Sequence, residues 1–321
     1  PRSTLSSSSA ASDVYKRQIS NGLLQTSNAL EVKETSKSIA ISDAKNTILL
    51  YHKEEVPPPK GSDPIYKRSA FIHPLKTPKG ASLTSIHPAD HIHHMGLWHA
   101  WVKTSIDGKE IDFWNLKKGQ GTVRYSETLS IDNGKNQKGF TVIQNHIAFD
   151  SEGNEKVIIK ETFSIKVSTT NGVYFIDYIS NQQNIINSNF NLPSYRYGGP
   201  IAYRGPDHWN SKNSKLLTSE GKNRNNGHAT RANWCAFYGP TKFGQATLAI
   251  LSHPKNHDSP QRMRIWSDES NNGAIFFNFV PGQEKSWKID AKKSAEFKYR
   301  IILTDSTLSS KKINEHWSKY S

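Results

Sequence analysis

The sequence predicts an all-β protein built as a large antiparallel β-sandwich, with helix only at its C-terminal end. Three observations lead there. From Lys37 onward apolar and polar residues alternate in run after run, the period of a strand with one buried face. The runs are parted by Asp-Asn-Gly, Ser-Glu-Gly-Asn and Thr-Asn-Gly segments, which suit the tight turns of hairpins. The runs themselves are rich in β-branched and aromatic residues, and none approaches the length of a transmembrane span.

Taken in order, the chain opens on PRSTLSSSSAASDVYKRQ, residues 1–18, a serine-rich run with no apolar period. Within it DVYKRQ reads like a translated transposase adapter, so the segment is expected to be a disordered sequencing scar outside the fold. Residues 19–36 are a lead. Residues 37–306 then read as a single β-sandwich domain. KSIAISDAKNTILLYHK, TVRYSETLSI, GFTVIQNHIAFD, KVIIKETFSIKVS and GVYFIDYIS form hairpins, and ANWCAFYG, FGQATLAILSH, QRMRIWSD, GAIFFNFV and SAEFKYRIILTD continue the pattern. Residues 307–321 close the chain as a helix, with Ile313 and Trp317 four apart, Ser309 or Ser310 as cap, and packing on a sheet edge expected.

Composition narrows the function classes. A single cysteine, Cys235, rules out an intrachain disulfide and a thiolate metal cage, leaving His, Asp, Glu and Asn as ligands. The formal charge of +14 points to an acidic partner. Its lysines are scattered through turns rather than massed, which argues against nucleic acid and leaves an anionic lipid or an acidic oligosaccharide or polysaccharide.

Three irregular stretches interrupt the strands, Glu54 to Asp90, Pro193 to Asn233 and His253 to Pro260, and long loops on a regular scaffold tend to carry function. The first is too proline-rich for a central strand. It leads into HPADHIHHMGLWHAW, which holds five histidines in fifteen residues, beside Asp90, Trp98 and Trp101. Imidazole titrates near neutrality, so His91, His93 and His94 are candidate acid–base groups. If the stretch is extended, His91 and His93 share a face and His94 lies opposite. The same residues raise the possibility of a divalent metal, with His87, His91, His93, His99 and His208 as candidate ligands. Arg68, His73, Trp98 and Trp114 flank the cluster as substrate-binding candidates.

The second stretch carries Arg196, Arg204, Arg224 and Arg231, four guanidinium groups that together could clamp a carboxylate or sulfate. Tyr197 and Glu220 accompany them as further acid–base candidates. Trp209, His228 and, from the third stretch, His253 complete the expected substrate contacts.

In order along the chain, HPLKTPKGASLTSIHPADHIHHMGLWHAW, DFW, YGGPIAYR, TSEGK with a downstream Trp-Cys, HPKNHDSP and FFNF resemble the bacterial PmoA-like family, from Tyr66 to the final helix. Met95 stands where many relatives carry arginine, and Ala202-Tyr203 replaces a Gly-Phe type pair. The resemblance implies a galactose-mutarotase-like supersandwich, periplasmic or secreted, in bacteria that degrade polysaccharides. The family label itself implies a metal-dependent oxygenase.

Together the residues predict a carbohydrate-active enzyme on a uronate or sulfated saccharide. Histidine or tyrosine would move a proton next to a carboxylate, giving elimination (a lyase or dehydratase) or epimerisation, while the arginines stabilise the enolate. The alternatives are a glycoside hydrolase, for which Asp90, Asp112, Asp207 and Glu220 are the available carboxylates, and a non-catalytic glycan-binding module.

Overall fold

The computed structural model describes residues 30–321, so the adapter-like segment 1–18 and residues 19–29 lie outside it. Two eight-stranded antiparallel sheets face each other. The first runs, edge to edge, β1 (Glu31–Glu34), β2 (Ser38–Ser42), β3 (Thr47–His52), β4 (Phe71–Leu75), β5 (Leu97–Ala100), β13 (Gly199–Arg204), β18 (Phe276–Val280) and β17 (Arg262–Ile265). The second runs β14 (Lys215–Thr218), β15 (Trp234–Thr241), β16 (Gly244–Ser252), β20 (Ser294–Thr304), β11 (Val173–Asn184), β10 (Glu155–Thr170), β9 (Lys138–Phe149) and β8 (Gly121–Asp132). A small sheet of β19 (Trp287–Ile289), β12 (Phe190–Leu192), β6 (Thr104–Ile106) and β7 (Lys109–Ile111) completes the strands. The predicted large antiparallel sandwich is therefore the fold.

Alternation explains most of it. In β10 and β11 buried and half-exposed residues alternate, and the inward set, including Phe163 and Tyr178 with ring centroids 4.7 Å apart, fills the space between the sheets. β5, β13 and β18 are buried at every position, because one face meets the second sheet and the other is covered by loops. Those three strands carry the site.

Two expectations change. FIHPL, set aside as too rich in proline for a central strand, is β4, between β3 and β5. Pro74 is tolerated because the ladder with β3 is irregular there: Leu49 pairs with Leu75 and Tyr51 with Ile72, so the register shifts around the residue that lacks an N–H. The C-terminal helix α1 (Ser310–Tyr320) is capped by Ser309, whose Oγ accepts from the Lys312 N–H at 3.3 Å. It lies on the outer face of the second sheet rather than on an edge. Ile313 packs there against Trp234, Ala249 and Ile302, and its full burial contributes roughly 2 kcal/mol.

Candidate functional site

The outer face of the first sheet supplies the floor. Trp98 pairs with Ala202, Ala202 with Asn278, and Asn278 with Arg264, so these four residues of β5, β13, β18 and β17 share one face. The neighbouring rung pairs Arg204 with Phe276. The opposite face is the intersheet core, since Phe277 and Tyr203 both pack on Phe237 of β15, at 5.3 and 4.9 Å. Trp98, Trp114, Trp266 and Phe276 thus make an aromatic floor under the histidine loop, with Trp98 and Trp114 5.0 Å apart.

The loop is curled, not extended. His91 N–H donates to Pro88 O at 3.1 Å, His94 N–H to His91 O at 2.9 Å, and His87 N–H to His94 O at 2.9 Å. Gly96 ends the curl at φ +66°, where a Cβ would lie 2.6 Å from the Ile72 carbonyl oxygen. The curl overturns the two-face expectation and gathers all three imidazoles. Ring centroids of His91 and His93 are 5.6 Å apart, His91 and His94 4.8 Å, His93 and His94 4.9 Å. His94 is buried, stacked on Phe276 at 4.7 Å, and belongs to the floor.

His91 has a defined partner. Asp90 Oδ2 lies 3.3 Å from His91 Nδ1, and Asp90 is gripped by Arg204 through two bonds, Nη2 to Oδ1 at 2.6 Å and Nη1 to Oδ2 at 2.9 Å. Arg204 is 3 % exposed and its guanidinium lies over the Trp266 ring at 5.3 Å. Burial pushes the Asp90 carboxyl up, but the bonds and charge of Arg204 outweigh it and the carboxyl ends below its usual range. A carboxylate can only accept, so His91 carries its proton on Nδ1 and keeps the Nε2 lone pair free. Burial lowers the His91 pKa, with Asp90 pulling against it. Burial and the neighbouring His91 bring His93 down to about 4, so near neutral pH both rings are uncharged.

These rings line a cavity of about 150 Å³ with Trp114, Asn115, Arg196, Tyr197, Arg264, Trp266 and Phe276. That is well below the roughly 300–1,000 Å³ of a drug-sized pocket and on the scale of one sugar ring. No carboxylate lines it. Arg196 lies over the Tyr197 ring at 5.4 Å and Arg264 Nη1 is 3.3 Å from His228 Nε2; among the described residues neither arginine forms an ion pair. Burial, then the like charge of Arg196, lowers the Arg264 pKa. Tyr197 stays protonated because burial raises its pKa, and its hydroxyl meets Asn115 Nδ2 at 3.1 Å. Asp112, fully buried, holds Asn115 through Nδ2 at 2.7 Å and is bonded by Lys118 at 2.9 Å.

The four-arginine clamp is not assembled. Only Arg196 lines the cavity. Arg204 is bound to Asp90. Arg224 donates to the Gly273 and Ala274 carbonyls and pairs with Asp268 at 3.3 Å, holding a turn. Arg231 donates to the carbonyls of Asp258 and Pro260 and pairs with Asp258 at 3.0 Å. The arginine that sequence reasoning missed is Arg264. Its signal lay in RMRIW, where Met263 and Ile265 are buried inward, so alternation sends Arg262, Arg264 and Trp266 to the outer face.

Other candidates fall elsewhere. Glu220 sits on an exposed turn, where Ser219 Oγ donates to it at 2.9 Å. Trp209 is fully buried against Gly239, with its N–H on Pro240 O at 2.9 Å. His253 packs on Tyr320 of α1 at 5.3 Å. His73, bonded to Thr84 Oγ1 at 2.9 Å, lines a separate cavity of about 650 Å³ with Asp207 and His208. His228 reaches the site only through Arg264. Arg68 is a core residue that donates to His99 O at 2.6 Å.

The proposed metal ligands do not converge either, because His87 Nδ1 is bonded to Ile92 O at 2.7 Å and the exposed His208 Nε2 meets Pro240 O at 3.1 Å. His99 instead lies with His146 and Glu161, buried between the sheets, with donor atoms all within 4.8 Å, close enough to hold a divalent ion. The same atoms also form a hydrogen-bond chain. Trp101 Nε1–H donates to Gln182 Oε1 at 2.8 Å, which orients the amide so that Gln182 Nε2 donates to His99 Nε2 at 2.8 Å and Ser180 Oγ at 3.0 Å. Glu161 then accepts from Ser180 Oγ at 2.5 Å and from His146 Nε2 at 2.8 Å. Burial raises the Glu161 pKa, but these partners outweigh it and hold the carboxyl down at about 2. Burial brings Arg68 down to about 10 against the pull of Tyr178 and Glu161, and its charge offsets that of Glu161 in the core.

No curated protein matches the chain. Among solved structures it is similar to a galactose mutarotase-like protein from Lactobacillus casei, at TM-score 0.41 and 10 % identity over 85 % of this chain and 99 % of that one. It is also similar to a galactose mutarotase related enzyme from Lactobacillus acidophilus, at 0.40 and 8 % over 87 % and 100 %. A GH36 α-galactosidase from Geobacillus stearothermophilus aligns at 0.37 and 8 %, over 88 % of this chain but 41 % of that one. The PmoA-like resemblance does not hold, because the family model that matches, over residues 38–318, is a different one. The metal-dependent oxygenase reading came from that label alone and loses its basis with it; separately, no helix among the described residues is long and apolar enough to cross a membrane. The periplasmic setting was an implication of that resemblance and loses its basis. The lyase or dehydratase reading falls as well, since three of the four arginines it needed have internal partners. The matching model covers most of the chain, and the protein belongs to the family of unknown function DUF6807.

Proposed function

We propose that this protein is a carbohydrate-active enzyme that moves protons at the anomeric end of a sugar bearing an anionic substituent. The observation that carries the reading is the pairing, in one cavity, of two uncharged imidazoles with two arginines that have no carboxylate partner. His91, oriented by Asp90 and Arg204, takes the proton of the anomeric hydroxyl on Nε2. Tyr197, whose hydroxyl keeps its proton near neutral pH, gives that proton to the ring oxygen as the bond between C1 and the ring oxygen breaks, and His93 hydrogen-bonds the sugar as a neutral imidazole. Reclosure on the other face reverses both transfers, so the sugar changes anomer with no net gain of atoms. Trp114, Trp266 and Phe276 offer the apolar face of the ring a stacking surface, and Arg196 with Arg264 binds its carboxylate or sulfate.

A second reading, glycoside hydrolysis, is favoured by the adjoining cavity of about 880 Å³, which Asp90, Asp207, Asp268 and Glu269 line. Hydrolysis normally uses two carboxyl groups about the scissile bond. One set of measurements separates the readings. Hexuronates and the matching neutral hexoses are followed by proton magnetisation exchange between anomers, and oligosaccharides by release of reducing ends. Accelerated anomer exchange that falls about a hundredfold in His91→Gln or Tyr197→Phe supports the first reading. New reducing ends support the second, and binding with neither reaction would make the protein a glycan-binding module.

A further inference from the structure

The catalytic cavity and the 880 Å³ cavity lie on the two sides of a wall that Asp90 and Arg204 form on one face and His91 and Trp266 on the other. Asp90 and Arg204 line the larger cavity, His91, next in the chain, lines the smaller, and Trp266 touches His91 at 4.7 Å while carrying the Arg204 guanidinium. Across that wall the charge reverses. The smaller cavity has two arginines and no carboxylate, whereas the larger has four carboxylates against Arg204 and Lys212. Asp90 and Asp268 are tied to arginines, but Asp207 and Glu269 have no hydrogen-bond or ion-pair partner among the described residues. Asn210, Ser211, Asn271 and Asn272 add uncharged donors and acceptors that suit hydroxyl groups. The wall itself holds a further donor, Arg204 Nε, which is buried and has no partner.

We infer that the substrate is an oligosaccharide in which the anionic ring held by Arg196 and Arg264 is joined to a neutral or amine-bearing ring seated in the larger cavity, and that a second acidic ring is excluded there. This rests on the proposed function and specifies its substrate class. A polyuronate would place a carboxylate beside Asp207 and Glu269, where like charges repel, while an ammonium group would be attracted. The larger volume suits a whole ring with its hydroxyls, and the smaller one does not accept a second.

The test is calorimetric titration of the full chain with four probes: a lone hexuronate, a glucosaminyl–hexuronate disaccharide with free amine and the hexuronate at its reducing end, its N-acetylated form, and a diuronate. The amine disaccharide is expected to bind about tenfold more tightly than the lone hexuronate, and the diuronate more weakly than it. Raising salt from 20 to about 300 mM should compress the spread, because exposed charges are screened. The double variant Asp207→Asn, Glu269→Gln should remove the amine preference while leaving hexuronate affinity unchanged. If the diuronate binds as tightly as the amine disaccharide, the charge-reversal inference is overturned while the anionic-sugar reading survives. If the lone hexuronate and all three disaccharides fail to bind, the reading beneath it falls too.

Discussion

Replacing Asp90 with asparagine keeps the shape of the side chain and removes its charge, so it isolates what the carboxylate does for Arg204 and His91. Arg204 is 3 % exposed and gives both terminal nitrogens to Asp90, at 2.6 and 2.9 Å. Stripping one partner from a buried ion pair costs about 3–5 kcal/mol, because the remaining charge stays out of water. The Asp90 side chain is 28 % exposed, so water recovers part of that and about 2–3 kcal/mol is expected. For a folded unit of roughly 290 residues the unfolding entropy is about 0.6 kcal/mol per kelvin, which makes the fall in melting temperature about 3–5 °C. Calorimetry on Asp90→Asn, Arg204→Gln and the double variant gives the coupling directly. The same substitution frees His91 to carry its proton on either nitrogen and removes the charge that holds its pKa up. Turnover should therefore drop at least tenfold, with the acidic limb of its pH profile, where His91 loses its proton, moved to lower pH. A melting shift under 1 °C with coupling below about 0.5 kcal/mol would refute the argument that this pair anchors the loop.

Three further outcomes are expected. His73 and His93 are held at about 4 and His99 at about 3, by burial first, so the folded chain resists protons that the unfolded chain accepts below about 6.5. Stability should fall as pH drops from 6.5 toward 4, by roughly 2 kcal/mol per imidazole at pH 5; urea midpoints that match at pH 7 and pH 5 would contradict this. Arg264→Gln should weaken a hexuronate by about 1.5–3 kcal/mol and its neutral hexose little, as read by calorimetric titration, and equal losses on both would remove Arg264 from anion recognition. Because Arg68 balances Glu161 and hydrogen bonds link the carboxylate to His146 and Ser180, chelator should leave the melting temperature unchanged. Elemental analysis showing one divalent ion per chain, lost together with stability in His146→Gln, would instead make His99, His146 and Glu161 its ligands.

Much of the fold is legible in the sequence because it depends on a local period. Alternation in KVIIKETFSIKVS or SAEFKYRIILTD places each side chain on a face whatever the rest of the chain does, and β10 and β20 follow those runs to within a few residues. Where both faces are covered the period vanishes, so β13 lies inside a stretch that reads as a loop and only the fold reveals it. The strand β4 is hidden differently, since its proline is tolerated only through an irregular register with β3.

The site divides in the same way. Five histidines within fifteen residues are a property of the sequence alone, and the chemistry of imidazole is enough to mark the stretch. Which nitrogen of His91 is free, and that His94 is floor rather than base, depend on Asp90, Arg204 and Phe276, residues up to 185 positions away from His91. The arginines make the point most plainly. Arg224 and Arg231 suggest a clamp because they lie near Arg204 in the chain, yet each points to a different turn, while Arg264 arrives from another strand through a register that pairs it with Asn278. Residue types and strand period are written locally and can be read locally; which charges meet and which imidazoles lose water are set by contacts between strands far apart in sequence, and only the tertiary structure decides them.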